Sequence, residues 1–391
     1  MPPEFCSLSD LAEIIVGFPF KSENFNTEEN GIKLVRGKNV TSGSFRWDED
    51  TRWWNNLTSE LYGYYLREND IIIGMDGSRV GKNYAKVKKS DLPLLLVQRV
   101  ACIRAKEGND QDFIWSCISS PVFESYIDLI KTGTTIPHIS AKQIGEYAIP
   151  KLSHDIQHKI GIFSKVINSK ISNNEEINAN LFKQGQIIFD KFVIKGECIS
   201  KSKLTDIAHF QNGLPMQKNR PPSGDGLPVL KIKELGQGFC DKSSERCRDD
   251  IDHSVLINNG DVVFSWSGSL MAKIWCGGKC GLNQHLFKVT SDKYPLWFYY
   301  YWLQHHMPDF IDIAANKATT MGHICRNHLE EAIVTHPKQD VMNRIDSILT
   351  PLLKKQIVLM EESSQLISIR DYLLPKLMSG EIDISQLDLV D

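Results

Sequence analysis

The first half of the chain resembles the second half, segment by segment and in the same order. LSDLAEIIVG from Leu8 resembles LTDIAHFQNG from Leu204, and ENDIIIGMDGS, ending at Ser78, resembles NGDVVFSWSGS, ending at Ser269. TGTTIPHIS from Thr132 likewise resembles KATTMGHIC from Lys317. The offset falls from 196 residues to 185 along the chain, as expected if the second copy has lost a few loop residues. A repeat of this kind predicts two equivalent globular units within the 391 residues.

Each copy predicts the same order of secondary structure. Short apolar runs bounded by Gly and Asn, such as DIIIGM and DVVFSW, are typical of strands. The aromatic-rich segments DFIWSCISSPVFESYIDLIK and YPLWFYYYWLQHHMPDFIDI then predict helices that are broken near Pro121 and Pro308. We interpret their aromatic residues as core rather than as a base-stacking surface. Each copy closes with a strand that ends at Pro150 or Pro337, so the predicted class is an α+β globule of roughly 150 residues.

A long helix is predicted after each globule. Alternating steps of four and three residues, from Ile156 to Ile188 and from Val341 to Leu373, visit mostly apolar positions, as a coiled-coil seam requires. Ser153 is suited to cap the first helix, whereas Pro351 is expected to kink or interrupt the second. A helix of about 36 residues is roughly 54 Å long. Most of the stability of such a helix must come from packing.

The simplest arrangement of the two helices is an antiparallel coiled coil in which the seams bury each other, with the globules related by an approximate two-fold axis. The alternative is that each helix packs only on its own globule. The polar seam positions lie mid-helix and either set the register or face a partner: Lys170, Asn174, Lys355 and Glu362. The predicted segments are a first globule at 1–150, a first helix at 151–195, a second globule at 196–337, and a second helix with a tail at 338–391.

Composition is that of a soluble globular protein, with 41% hydrophobic and 24% charged residues. No apolar stretch is long enough to cross a bilayer, and no export signal is visible at the N-terminus. The nine cysteines are scattered without a CxxC pair, which fits reduced thiols and a cytoplasmic location. The net charge of -3 argues against a protein that holds DNA by bulk charge alone. Local basic surfaces or a partner protein would then have to supply the phosphate contacts.

No catalytic or metal motif is complete. The segment from Gly77 to Lys82 resembles a phosphate loop, but Asp76 stands where that motif needs Gly and Asn83 where it needs Ser or Thr. No Asp/Asn-Pro-Pro-aromatic motif of an amino-methyltransferase occurs. Cys276, Cys280 and His285 have metal-like spacing without an evident fourth ligand. We therefore expect a chain that is not an enzyme and holds no metal.

The segment IRDYLLPKLMSGEIDIS, from Ile369 to Ser385, resembles the end of the second helix in the specificity subunits of type I restriction-modification systems. The globule openings, the GKNVTSG and IKELGQG strands and the TTIPHIS and TTMGHIC loops match the same family. The resemblance implies that each globule is a target-recognition domain that reads one half of a bipartite DNA site, with the helices setting the gap. It also implies that two modification subunits, which methylate adenine, and motor-nuclease subunits join this chain. The cofactors S-adenosylmethionine, ATP and Mg would then lie on those partners and none in this chain.

Candidate DNA contacts are polar side chains able to reach base edges, because Arg favours guanine and Asn or Gln favours adenine. In the first copy they are Arg36, Lys38, Asn39, Arg79, Gln98 and Arg99, and in the second copy Lys231, Lys233, Glu234, Ser267, Gln284 and His285. The Thr-Thr loops add residues suited to phosphate contacts: Thr134, Thr135 and His138, with Thr319, Thr320 and His323. Gln98 and Gln284 stand out because both copies keep a Gln among apolar residues, although either could make a structural hydrogen bond to a neighbouring loop.

Two other functions remain open at this point. The chain could be a DNA reader that serves a fused or type II-like modification enzyme. It could also be a coiled-coil scaffold that joins two proteins without binding DNA.

Overall fold

The computed structural model describes residues 4–133, 136–222, 224–316 and 322–385. The chain forms two compact units, which are residues 1–169 with 368–391, and residues 170–367. Each unit contains one copy of the repeat together with part of both long helices.

The first unit carries nine strands and four short helices. The strands are β1 Phe5–Ser7, β2 Ala12–Val16, β3 Ile32–Val35, β4 Trp53–Trp54, β5 Ile71–Gly74, β6 Tyr84–Lys86, β7 Leu94–Leu96, β8 Val100–Ala105 and β9 Ala148–Pro150. The helices are α1 Leu8–Leu11, α2 Gln111–Ile118, α3 Pro121–Ile130 and α4 Ala141–Gly145, and the first long helix, α5, is His154–Phe189.

The second unit repeats this order. Its strands are β10 Cys198–Lys203, β11 His209–Asn212, β12 Leu227–Leu230, β13 Arg246–Cys247, β14 Leu256–Ile257, β15 Val262–Ser265, β16 Met271–Ile274, β17 Cys280–Leu282, β18 Leu286–Thr290 and β19 Ile333–Pro337. Its helices are α6 Leu204–Ile207, α7 Ile232–Gln237, α8 Leu296–Asn316 and α9 Arg326–Glu331, and the second long helix, α10, is Gln339–Met378.

The sheets of the two units have equivalent strand orders, apart from one additional strand, β14, in the second unit. An antiparallel sheet has the order β2-β8-β5-β6 in the first unit and β11-β18-β15-β16 in the second. A second sheet has the order β4-β3-β7 in the first unit and β13-β12-β17-β14 in the second, and its β3–β7 and β12–β17 pairs are parallel. The central strands β5 and β15 are buried at every position, which explains why their sequences are continuously apolar rather than alternating. The predicted duplication and α+β class are confirmed.

Proline breaks the aromatic-rich helix in the first unit but not in the second. In the first unit, Ser120 caps α3 by accepting a hydrogen bond from the amide of Phe123, and Pro121 takes the first helical position, where its missing N–H costs nothing. The predicted break at Pro308 is wrong, because α8 continues through it. No capping residue precedes Pro308, and the buried side chains of Met307 and Phe310 hold the helix to the core on both sides.

The aromatic residues of these helices lie in the core, as interpreted from the sequence. Trp297, Phe298, Tyr301 and Trp302 of α8 are all buried. Phe189 at the end of α5 packs against this cluster, with its ring centroid 5.6 Å from that of Tyr301. The end of α5 is therefore anchored to the globular part of the second unit by aromatic contacts.

The two long helices contact each other in antiparallel orientation. Within the first unit, the Arg370 guanidinium donates to the Asn168 side chain at 2.8 Å. Within the second unit, the Asn174 amide donates to the Glu362 carboxylate at 2.8 Å, and the Lys170 ammonium lies 3.2 Å from the same carboxylate. Residues further along α5 thus contact residues earlier in α10. Three of the four polar seam positions meet as expected, whereas Lys355 is exposed.

The residues that are buried along the two long helices are not always those of the predicted seams. Ile177, Ile348 and Ile369, which were predicted to be buried, are 43%, 44% and 47% exposed. The residues that follow the predicted positions are buried instead, as Ser164, Ile171 and Gly185 show in α5, and Leu349 and Gln356 in α10. Small and polar residues face inward here because neighbouring side chains fill the space. For example, a Cβ at Gly185 would lie 1.9 Å from the Tyr301 hydroxyl.

Pro351 does not interrupt the second long helix, so the interruption, one of the two predicted effects of this proline, is wrong. α10 is continuous from Gln339 to Met378. Leu349 and Leu353 on either side are buried in the core of the second unit, and this packing offsets the lost backbone hydrogen bond.

Candidate nucleic-acid interface

A cluster of polar residues lies where β7 ends in the first unit. The backbone of this segment is fixed at two points, because the Gln98 amide donates to the Phe18 carbonyl at 2.9 Å and the Met75 amide donates to the Arg99 carbonyl at 3.0 Å. The side chains of Gln98 and Arg99 are nevertheless exposed. A rigid backbone thus presents two flexible polar side chains to solvent.

The second unit places an equivalent cluster at the end of β17. The Gln284 amide donates to the Leu214 carbonyl at 3.0 Å, which matches the contact of Gln98. The Gln284 side chain lies 3.3 Å from Nε2 of His285, and the buried Ser267 hydroxyl lies 3.3 Å from Nδ1 of the same ring. The His285 ring also lies beside Trp266, with centroids 5.8 Å apart.

The loop histidines, one in each repeat copy, join these clusters through the backbone. In the first unit, the Gly77 amide donates to the Pro137 carbonyl, and the Ile139 amide to the Met75 carbonyl, each at 3.0 Å. These bonds place His138 opposite Asp76. In the second unit the corresponding bonds, Gly268 to Gly322 at 2.9 Å and Ile324 to Trp266 at 3.0 Å, place His323 opposite Ser267.

Both loop histidines are exposed, and Nε2 of His138 is 3.1 Å from the Thr132 hydroxyl. The predicted phosphate-contact residues Thr134, Thr135, Thr319 and Thr320 lie outside the described residues.

The charge of the two clusters differs. In the first unit, the Arg99 Nε lies 3.6 Å from the Asp76 carboxylate, and the exposed Arg79 reaches the Asn83 side chain at 3.4 Å. Ser267 and His285 take the places of Asp76 and Arg99 in the second unit. Asp76 was not among the predicted site residues, although its repeat equivalent Ser267 was. Aligning the copies position by position would have found it.

A second group of predicted residues follows β3 and β12, the parallel neighbours of β7 and β17. Asn39 and Glu234 are buried and turned inward. The Asn39 side chain accepts from the Arg36 amide at 3.2 Å and donates to the Arg46 carbonyl at 3.2 Å. Glu234 likewise accepts from the Lys231 amide at 3.3 Å and from the Ser244 hydroxyl at 3.1 Å. Their prediction as direct contacts with DNA does not fit this placement, because both side chains hold their own loops.

The basic residues of this group pair with nearby acidic residues or carbonyl groups. Lys38 lies 2.7 Å from the Asp50 carboxylate, and Arg36 donates to the Asp50 carbonyl. Burial, followed by the charge of Arg52, lowers the pKa of Arg36. In the second unit, Lys231 lies 2.6 Å from Glu245 and Lys233 lies 3.2 Å from Asp241.

Metal-ligating clusters and membrane-spanning helices are absent from the described residues. No group of three or more His, Cys, Asp or Glu residues within 4–133, 136–222, 224–316 and 322–385 is placed to hold a metal ion. Over the same ranges, no helix is both long enough and apolar enough to cross a membrane. The nine cysteines, all described, are free thiols.

These features define a class of protein in which two equivalent units each present one polar cluster at the end of a parallel strand pair, exposed in the first unit and half-buried in the second. The family model for the type I restriction modification DNA specificity domain matches residues 3–183 and again residues 198–368. The chain belongs to this family and contains two copies of its domain.

Similar proteins are specificity subunits of type I restriction enzymes. Over 344 residues, the chain is 25% identical to the type I restriction enzyme MjaIX specificity subunit of Methanocaldococcus jannaschii, covering 79% of this chain and 77% of that protein. It is 34% identical over 160 residues to the type I restriction enzyme EcoAI specificity subunit of Escherichia coli, covering 40% of this chain. This second match spans only 27% of the length of the E. coli protein.

A solved structure shares the fold over nearly the whole chain. The S subunit of a type I restriction-modification system from M. genitalium superposes with a TM-score of 0.56 at 16% sequence identity. The match covers 97% of this chain and 99% of that one.

Proposed function

We propose that this chain is the DNA-specificity subunit of a type I restriction-modification complex, and that each of its two globules reads one half of a bipartite DNA site. Residues 1–150 and 196–337 are the target-recognition domains, and residues 151–195 and 338–391 form the helical spacer. The observation that carries the proposal is the pair of equivalent clusters around Gln98 and Gln284, since a reader of two half-sites needs the same surface twice.

The side chains at these clusters suit base recognition. Arg79, Arg99, Gln98 and Gln284 are the residue types that pair with guanine or adenine edges in the major groove, and His285 and Ser267 border the second cluster. His138 and His323 are exposed, and together with the threonines of the same sequence motifs they are of the residue types that suit phosphate contacts, which position a domain without specifying sequence. Asn39 and Glu234 contribute indirectly, by holding the loops that carry Lys38 and Lys233.

The ion pairs of the basic residues are compatible with this function. Lys38 and Lys233 are exposed, and so is the carboxylate of Asp50. Exposed ion pairs contribute little to stability, so a lysine can exchange a carboxylate for a DNA phosphate at low cost. The net charge of -3 implies that partner subunits supply further phosphate contacts.

The chain has no catalytic role in this proposal. Two modification subunits bind it and methylate adenine with S-adenosylmethionine, and restriction subunits that use ATP and Mg join for cleavage. The long helices set the distance between the half-sites and provide docking surface. The complex acts on the host genome, which places it in the cytoplasm.

A domain exchange tests the proposal. Residues 8–150 are replaced by the corresponding segment of another specificity subunit, and methylated adenines are mapped across a host genome that lacks the native gene. Only one half of a split methylation motif should change.

The reciprocal exchange of residues 204–337 is the matched control and should change only the other half. A change in both halves, or in neither, would overturn the domain assignment. A chain that binds the modification subunits but gives no methylation motif would instead be a scaffold.

A further inference from the structure

Arg99 has a strained backbone conformation. Arg99 has a φ of 72°, in the left-handed region that side chains with a Cβ disfavour. Among the described residues, Asn69 is the only other residue besides glycine with a positive φ. Asn tolerates this region because its short side chain bonds locally, whereas Arg has no such compensation. A strained residue of this kind persists only where its surroundings hold it, and such residues concentrate at functional sites.

The surroundings hold the Arg99 backbone from both sides. The Met75 amide bonds to the Arg99 carbonyl at 3.0 Å, and the Gln98 amide just before it bonds to Phe18 at 2.9 Å. The side chain is 68% exposed despite this fixed backbone. The strained backbone therefore sets the direction in which this exposed side chain leaves the chain, and no packing interaction of the side chain explains the strain.

The guanidinium is also oriented by one charged neighbour. Its Nε lies 3.6 Å from the Asp76 carboxylate, whose side chain is 31% exposed. Asp76 is itself held by the backbone bridge to His138. The two terminal amino groups of Arg99 have no hydrogen-bond partner in the part of the chain that the structure describes, so the face with two parallel donors is open.

We infer that Arg99, oriented by Asp76, reads a guanine in the half-site of the first unit. The inference rests on the proposed function and names one base of its substrate. Guanine presents two acceptors, O6 and N7, on its major-groove edge, and they match two parallel guanidinium donors. Adenine replaces one of those acceptors with an amino donor, which opposes the arginine.

Asp76 also distinguishes a base contact from a phosphate contact. A carboxylate 3.6 Å from the guanidinium repels the full negative charge of a phosphate more strongly than the uncharged edge of guanine, whose O6 and N7 carry only partial negative charge. The second unit lacks this pair, since its corresponding residues are Ser267 and His285. The guanine preference therefore belongs to one half-site only.

The test uses the full chain assembled with its modification subunits. Arg99→Gly is the main variant, because glycine accepts a positive φ without strain and the unit should fold. Methylated adenines are mapped genome-wide, and affinity is measured on duplexes that differ at the guanine position. The variant should accept other bases at one position of one half-site, with a loss of discrimination of roughly tenfold to a hundredfold.

Two further variants sharpen the result. Arg99→Lys keeps the charge but not the paired donors, so it should also lose guanine discrimination. Asp76→Asn, which alters a positioning residue, should reduce the ratio of affinities between guanine and the other bases. Arg67→Ala is the matched control, because Arg67 is an exposed arginine of the same unit that lies outside the cluster around Gln98 and Arg99, and it should leave this position of the motif unchanged.

The salt dependence of binding separates the outcomes. If Arg99 contacts a phosphate, its replacement weakens binding to all sequences equally and lowers the slope of affinity against salt by about one. That result, or an unchanged motif, would overturn the inference and leave the proposed function standing. A wild-type complex that marks no split motif would overturn the proposed function itself.

Discussion

A glycine at the same repeat position in both units controls how closely a loop approaches the polar cluster. Gly17 ends the segment LAEIIVG, and Gly213 ends IAHFQNG. A Cβ on Gly17 would lie 2.1 Å from the Val97 carbonyl oxygen, and a Cβ on Gly213 would lie 2.2 Å from the Asn283 carbonyl oxygen. Carbon atoms normally pack more than about 3 Å from such atoms, so an alanine must displace the backbone by about 1 Å.

The cost of Gly17→Ala follows from the contacts that the displacement disturbs. The loop is held by three backbone hydrogen bonds, Gly17 to Val100 and Phe18 to Leu96 at 3.0 Å, and Gln98 to Phe18 at 2.9 Å. Weakening these bonds and overpacking the contact should cost about 2–4 kcal/mol of unfolding free energy. The segment that carries Gln98 shifts as well, so methylation directed by the first half-site should fall. Gly213→Ala should have the same effect on the second half-site.

Urea unfolding measures the free-energy change, and genome-wide methylation mapping measures the loss of recognition. Gly63→Ala and Gly224→Ala are the matched controls, because a Cβ at either position meets no atom within 4 Å and neither glycine has a positive φ. Both controls should lie within about 0.5 kcal/mol of the wild type or be slightly more stable. If Gly17→Ala proves as stable as Gly63→Ala and both halves of the motif survive, the close approach has no structural role and the reasoning is refuted.

Two other perturbations test the interior of each unit. The Asp70 side chain is only 3% exposed, and its carboxylate accepts two hydrogen bonds from the Arg104 guanidinium, at 2.7 and 2.8 Å. Asp70→Ala removes this carboxylate. The unpaired, mostly buried arginine should cost about 3–5 kcal/mol by urea unfolding, and a loss below 1 kcal/mol would contradict this account. In the helix pair, the hydrogen bond from Asn174 and then the Lys170 contacts hold the pKa of Glu362 below its usual value. A carboxyl group whose pKa is lower in the folded state than in the unfolded state stabilises the fold at pH values above the unfolded-state pKa. This contribution is lost as the pH falls through the folded-state pKa. Asn174→Ala should therefore raise the pKa of Glu362 and flatten the acid-side loss of stability. An NMR titration of the carboxyl carbon checks this, and an unchanged pKa would show that the asparagine is irrelevant.

Local sequence pattern was sufficient for the repeat and for the long helices. Both copies place apolar runs and glycines in the same order, and the equivalent sheets follow because burial of those runs requires the same pairing. The polar positions Asn174 and Glu362 were expected mid-helix, and they bond to each other. The spacing of apolar residues, the order of the repeated segments and the positions of polar residues can all be read from one sequence, because they depend only on neighbouring residues.

The rotation of the long helices about their axes depended on the tertiary structure. Ile177 and Ile348 are exposed, whereas Gly185 and Gln356 are buried. The aromatic core of the second unit supplies the bulk, so Gly185 fits beside Tyr301, whereas the preceding residue, Gln184, was the predicted seam position. The continuity of helices through Pro308 and Pro351 was decided in the same way, by buried neighbours on both sides.

Whether a polar side chain is exposed to solvent or hydrogen-bonded within its own loop also depended on the fold. Asn39 and Arg99 are both polar residues that follow a strand, and their sequences do not distinguish them. Asn39 finds backbone partners on its own loop and is buried, whereas Arg99 is held by its backbone and extends toward solvent beside Asp76. The folded conformation of each loop decides this difference, because a polar group is buried only where the folded chain satisfies it.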